Sequence, residues 1–168
     1  MVSDLMRQEL PKERVLEIDD SETGFAPDLW QLLAELGLTG MVIPEEFGGT
    51  GNSFTDMGVV YEALGEAACT SPHLSSAVLS AHAILEAGNL TQKQTLLPAI
   101  AEGTQIFAFA YTEPAYGWGP ENITLPATRN NGNFVLNGTK LFVPDAHIAD
   151  QILVAARTSD QGPPEDGI

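Results

Sequence analysis

The hydrophobic period of this chain changes at Gly103, and that change decides what it can fold into. Upstream, apolar residues recur at helical spacing. Leu29, Leu32, Leu33 and Leu36 lie on one face of a helix opened by Pro27 and stopped by Gly37. Phe54, Met57, Val60, Tyr61, Leu64 and Ala68 form a stripe behind Ser53, an N-cap with Asp56 three residues on. Ser71 and Pro72 start a third helix through Leu74, Ala77, Val78, Ala81, Ile84 and Leu85, ended by Gly88. Thr91 with Gln94 reads as the capping box of a fourth, running to about Ala101.

Downstream the period is extended. Ile106 to Tyr111 is an unbroken apolar run, and Thr124 to Arg129 and Asn133 to Asn137 flank the turn residues Asn130, Asn131 and Gly132. Asn137-Gly138 is a hairpin dipeptide leading to Lys140 to Val143, and Gln151 to Arg157 is a fifth extended segment. No helix separates these segments, which argues an antiparallel sheet or barrel instead of a parallel nucleotide-binding sheet. The closing TSDQGPPEDGI is a polar loop that leaves the sheet incomplete. The predicted fold class is α+β: an all-α domain over residues 1–104, then the first antiparallel strands of a β-barrel domain over residues 105–168.

Composition removes several functions. Seven basic against 23 acidic residues give a net charge of −16, and no Lys or Arg occurs between Arg14 and Lys93. Nucleic acid and anionic membrane surfaces both require clustered cations, so neither is an expected partner. The acidity fits a solvated surface or adaptation to high salt. No apolar stretch approaches the roughly 20 residues of a membrane-spanning helix. MVSDLMRQEL lacks the basic head and apolar centre of a secretion signal, and the single cysteine, Cys69, suits a reducing compartment, so a cytoplasmic location is expected.

MVIPEEFGGTGNS, residues 41–53, is too rich in glycine to continue a helix. A Walker loop would need a lysine there, and none is near, so a tight structural turn is the favoured reading. The adjacent carboxylates Glu45 and Glu46 point in different directions and rarely share a proton. His73, His82 and His147 have no i, i+4 or carboxylate pairing, which argues against a metal site, and read as helix-surface or loop residues. Cys69 follows Ala67 and Ala68 on a helix-like face without a nucleophile signature.

FAFAYTEP, residues 107–114, poses the sharpest question: why a buried strand should stop on a hydroxyl, a carboxylate and a proline. Taken with MVIPEEFGGTG, VVYEALGEAA, LLPAIAEGTQIFAFAYTEP, GNFVLNGTKLFV and AHIADQILVAART, in that order and spacing, it resembles the N-terminal half of the acyl-CoA dehydrogenase family over roughly residues 25–158. The resemblance implies a helical domain, a middle β-barrel and a C-terminal four-helix bundle, with FAD held between barrel and bundle. It also implies an acyl-CoA substrate, electron-transfer flavoprotein as acceptor and a homo- or hetero-oligomer. Phe109, Ala110, Tyr111 and Thr112 match flavin-contact positions on the strand that ends in TEP, and Glu113 is expected to be structural. Pro114 ends the strand.

Two departures from that pattern stand out. Where the family commonly continues with Gly-Ser-Asp, this chain has Gly117, Trp118 and Gly119, which puts an indole at a position near the FAD phosphates and the thioester substrate. In the second flavin segment an aromatic residue is usually followed, one residue on, by a threonine or serine. Here Phe142 and Val143 lead to Pro144, which offers neither hydroxyl nor N–H. Phe142 can still pack on the ring. Such departures are similar to those of branches in which two unlike subunits share the flavin site. The family's proton-abstracting glutamate lies in the bundle, so no catalytic residue is expected among these 168. The alternatives are a truncated dehydrogenase, a non-catalytic subunit completing a partner's site, or an oxidase or flavin monooxygenase on the same fold.

Overall fold

A computed structural model describes residues 2–168. Six α-helices precede four short strands: α1 (Val2–Glu9), α2 (Lys12–Asp19), α3 (Pro27–Glu35), α4 (Phe54–Glu66), α5 (Ala81–Ala87) and α6 (Leu90–Ala101), then β1 (Phe107–Ala110), β2 (Ala127–Asn130), β3 (Asn133–Leu136) and β4 (Gln151–Val154). A π-helical segment, His73–Ser80, runs directly into α5. The helical-then-extended order follows the change of period at Gly103. None of the helices in the described residues is long and apolar enough to cross a membrane.

Several helix ends follow from local chemistry. Ser53 and Asp56 form the reciprocal capping box of α4, and Pro27 occupies the first turn of α3. The cap of α6 lies two residues earlier than the sequence suggests. Asn89 Oδ1 accepts from Gln92 N–H at 2.9 Å and Gln92 Oε1 accepts from Asn89 N–H at 2.8 Å, so asparagine takes the cap that Thr91 was expected to hold. Helices α1 and α2, short and strongly charged, are not evident in the sequence pattern. They form because Met6, Leu10 and Ile18 are buried in the cluster built by Leu29, Leu33, Met57 and Val60.

A second cluster joins Ile43, Phe47, Ala77, Ile84, Leu97, Ile100 and Phe107, so the first strand roots in the helical core. Gly103 makes the turn between them. Its φ is +65°, and a Cβ there would stand 2.6 Å from Ala34 Cβ, while its carbonyl accepts from Trp30 Nε1 at 2.9 Å. The 41–53 loop is the expected tight turn, with a 3₁₀ turn at Glu45–Phe47. A Cβ on Gly49 would meet Ile43 O at 2.0 Å, which accounts for the glycine by close backbone approach and not by phosphate binding.

The strand pairing differs in two respects from the sequence reading. β2 and β3 form the expected antiparallel hairpin, Ala127 opposite Leu136. β1 and β4, however, lie parallel, Phe107 opposite Gln151 and Ala110 opposite Val154, because the whole hairpin is contained in the crossover between them. Lys140 to Val143 is not a strand: Phe142 sits at φ 50° and Asp145 at φ 58°, which breaks the extended run.

The end of α4 also differs. The helix stops at Glu66, and Ala68, expected on its apolar face, takes φ 49° just beyond it, with Cys69 N–H reaching back to Leu64 O at 2.9 Å. An alanine in the left-handed region costs about 1 kcal/mol. Ala68→Gly is therefore expected to stabilise the chain by about 1 kcal/mol in urea unfolding, and a loss of stability would contradict this closure of α4.

Candidate functional site

The question posed by the end of β1 is answered by side chains from 11 to 27 residues away. Phe107, Ala108 and Ala110 are buried, and the run leaves the core at Tyr111 and Thr112. Glu113 then turns back inward. Its carboxylate accepts Lys140 Nζ at 2.7 Å, Thr124 Oγ1 at 2.5 Å, the Thr124 amide at 3.0 Å and the Leu125 amide at 3.0 Å. The side chains of Lys140 and Glu113 are only 7% and 6% exposed.

Burial pushes the Glu113 carboxyl up, but Lys140, Thr124 and the two amides outweigh it and hold the group at about 2. A carboxylate so fixed cannot act as a base near neutral pH, which accords with the structural role expected of it. Lys140 also donates to Tyr111 O at 3.0 Å, and Leu141 N–H donates to Thr112 O at 2.8 Å. The segment after the hairpin is thereby laid against the end of β1.

What remains at that end is a row of unused donors. The Tyr111 and Thr112 amides and the Thr112 hydroxyl donate to no group among the described residues, and the same holds for the Phe142 and Val143 amides. Aromatic surface lies beside them. Phe109 and Tyr111 alternate onto one face of the strand with ring centroids 6.0 Å apart, and the Tyr111 hydroxyl donates to Trp118 O at 2.9 Å. Trp118 is 90% exposed and Phe142 79% exposed. Ala110 faces the other way, into a hollow of about 260 Å³ with Leu125, Leu136, Val143 and Ile152.

The Leu141–Thr112 hydrogen bond thus brings the segment that carries Phe142 beside the end of the strand that carries Phe109, Tyr111 and Thr112. Ala110 stands apart from them, on the hollow side. Pro144 is exposed and closes the second segment without a donor of its own. Trp118 is carried outward on a loop whose Tyr116 sits at φ 54° and Gly117 at φ 142°.

The remaining titratable groups lie elsewhere. Glu45 and Glu46 are exposed on the 3₁₀ turn of the 41–53 loop. His73, expected at a helix surface or in a loop, is 1% exposed instead: its Nε2–H donates to Leu38 O at 3.0 Å and its Nδ1 accepts from Tyr61 at 3.0 Å. Burial lowers its pKa and keeps it neutral. His82 stacks on Phe54 with centroids 4.6 Å apart, and His147 Nε2–H donates to Thr23 O. Among the described residues no cluster of three or more His, Cys, Asp or Glu could hold a metal. Cys69 is half-buried, with its thiol pushed up by burial.

Lys140 is the functional residue that the sequence hides. Its only linear signal is that it stands three residues after Asn137 at the exit of a predicted hairpin.

Comparison with known proteins places these residues in context. The family described as Acyl-CoA dehydrogenase, N-terminal domain, matches residues 1–104, and that described as Acyl-CoA dehydrogenase, middle domain, matches residues 108–168. The chain is 34% identical to acryloyl-CoA reductase (NADH) of Anaerotignum propionicum over 94% of its own length and 41% of that protein's. Among solved structures, the Tcur3481-Tcur3483 steroid ACAD superposes with a TM-score of 0.80 at 28% identity, over 99% of this chain and 44% of that one. The ChsE4-ChsE5 complex from Mycobacterium tuberculosis gives 0.80 at 26% identity, over 98% of this chain and 42% of that one. The chain therefore spans between 41% and 44% of the length of these proteins.

The ion pair yields two expectations. Lys140→Met leaves a buried carboxylate without its counter-charge and should destabilise the chain by about 3–5 kcal/mol in urea unfolding. Because the folded-state pKa of Glu113 lies below the ordinary 4.5, its contribution is fully present above that value and disappears as pH falls towards about 2. Glu113→Gln should show a shallower loss of stability than wild type across that window, and equal slopes would contradict the assignment.

Proposed function

The chain belongs to the acyl-CoA dehydrogenase family, whose members are flavoprotein oxidoreductases, and we propose that it is the N-terminal part of an FAD-dependent dehydrogenase acting on an acyl-CoA thioester. Its helical domain, residues 1–104, packs against the opening of a middle β-domain, residues 105–168. The observation that carries the reading is the set of unused donors at the end of β1. A planar heteroaromatic ring with a polar edge needs an apolar surface beside a row of amides and hydroxyls, and Tyr111 and Thr112 supply that row next to Phe109.

The residues fit FAD on the β1 side. Tyr111 and Thr112 amides and the Thr112 hydroxyl would bond the polar edge of the ring, and Phe142 would pack on its face. When bound, the flavin supplies the hydride-accepting chemistry that no side chain has. This chain's residues do the holding: Glu113 and Lys140 fix the strand end, and Pro114 directs the following loop away from the sheet. Trp118, exposed on that loop, would face the substrate. The group that removes the proton alpha to the thioester carbonyl is proposed to come from outside these residues, since Glu113, engaged by Lys140, Thr124 and two amides and held at about 2, is too weak a base.

Electron-transfer flavoprotein is the proposed acceptor, fatty acid metabolism the setting, and a cytoplasmic oligomer the form. The oligomer is homomeric or heteromeric, and unlike subunits are the second reading. Pro144 removes a donor from the second flavin segment, and two of the structures that superpose on this chain are named for pairs of gene products. On that second reading the chain is a non-catalytic subunit that completes a partner's flavin site.

The test is an FAD titration followed by visible absorbance and flavin fluorescence. The 168-residue chain is expected to bind FAD weakly and to oxidise no acyl-CoA, whereas an assembly that includes a C-terminal helical bundle binds it tightly. In that assembly Thr112→Val should raise the FAD dissociation constant about tenfold, the cost of one lost hydrogen bond to the ring. Acyl-CoA oxidation by the isolated chain, or an unchanged dissociation constant in Thr112→Val, would overturn the reading.

A further inference from the structure

The segment His73–Ser80 is hydrogen-bonded in the π pattern, and Ala81 N–H reaches back five residues to Ser76 O. Such wide turns are rare and concentrate at functional sites. Its consecutive serines, Ser75 and Ser76, are 1% and 0% exposed, yet each makes a bond away from the helix. Ser76 Oγ accepts the Phe107 amide at 3.1 Å. Even-numbered residues of β1 bond to the β4 side, as Ile106 O accepts from Asp150 N–H and Ala110 O from Ala155 N–H. The Phe107 amide is therefore on the opposite edge, where Ser76 meets it.

Ser75 reaches the other segment. Its hydroxyl donates to Asp145 Oδ2, with Pro72 O also within 3.1 Å. A hydroxyl has one proton, and the carboxylate is the stronger acceptor. Asp145 directly follows Pro144 and holds a left-handed φ of 58°. Ser80, the third buried serine of this segment, has no hydrogen-bond partner among the described residues, so burial of a serine here does not by itself bring a contact.

We infer that Ser75 and Ser76 are positioning residues: adjacent hydroxyls on one wide helical turn set the placement of the two segments, Phe109–Thr112 and Phe142–Pro144, against which the ring would lie. Ser76 anchors the root of β1 two residues before Phe109, and Ser75 anchors the turn one residue after Pro144. The helical domain thereby fixes how the two segments, joined at Leu141 and Thr112, stand relative to each other. This rests on the flavin reading of the preceding subsection for the identity of the ring.

Amide hydrogen exchange on the whole chain separates the parts. Ser75→Ala should accelerate exchange over residues 141–148 roughly tenfold, and Ser76→Ala should do so at Phe107 and its neighbours, with α4 unchanged in both. Ser80→Ala should move neither region. Asp145→Asn keeps an acceptor and should stay near wild type, whereas Asp145→Ala should match Ser75→Ala. Exchange that is unchanged in both segments, or raised uniformly along the chain, overturns the inference.

The second readout is the FAD dissociation constant of the flavin-loaded assembly. It should rise severalfold in Ser75→Ala and in Ser76→Ala but not in Ser80→Ala, and equal affinities in all three overturn the positioning role. Wild-type chain that holds no FAD in any assembly would sink the flavin reading, while the exchange pattern would still report on the two serine contacts.

Discussion

The ion pair of Glu113 with Lys140 is the contact on which the β region depends. It closes a connection of 27 residues, and its carboxylate satisfies the Thr124 and Leu125 amides in the middle of that connection. Replacing both partners by apolar groups could preserve stability, since buried ion pairs often do no better than hydrophobic packing. What an apolar pair could not do is aim four donors at one point. The pair therefore specifies geometry: where β1 ends, where the coil after it turns, and where the segment from Lys140 onward returns.

That over-determination explains how the surroundings tolerate backbone strain. Tyr116, Phe142 and Asp145 all sit at positive φ without being glycine, at a cost of order 1–3 kcal/mol each. Two of the three are aromatic and exposed, so neither burial nor turn propensity accounts for their conformation. They flank the unused donors at the end of β1, and the strain is carried by the network of Glu113, the Leu141–Thr112 hydrogen bond and the Ser75–Asp145 contact. Strain gathered around donors that no protein group takes up fits the binding role proposed for this end of β1.

Much of the architecture was legible in the linear sequence because it is written in local signals. The Ser53 and Asp56 capping box and the Asn130-Asn131-Gly132 turn act within a few residues, and both are present; of the leucine stripe of α3, Leu29 and Leu33 are buried, while Leu36 is the C-cap and exposed. Features governed by distant partners were not legible. α1 and α2 depend on burial against α3 and α4, the parallel pairing of β1 with β4 spans 44 residues, and His73 is drawn inward by Tyr61 and Leu38 O. At the site, the aromatic and hydroxyl residues stood out by type. Lys140, Ser75, Ser76 and Asp145 did not, because a lone lysine or serine carries no periodic mark of what it will meet.

The distribution of cations sets a limit on how the chain could serve a phosphate-bearing cofactor. Arg7 pairs with Asp4 and Glu66, Arg14 with Glu9 and Asp28, and Lys140 with Glu113. Arg157, 12% exposed, donates to Ile123 O and Pro120 O at 2.6 Å each and to Pro164 O at 3.1 Å. Four of seven cations are thus engaged by groups of this chain, within a net charge of −16. Lys12 and Lys93 lie in the helical region, which leaves Arg129, stacked over Phe134 at 5.4 Å, in the β region. A diphosphate bound beside β1 would therefore be met by backbone amides or by cations from outside these 168 residues, and the surplus of carboxylates among them would oppose it.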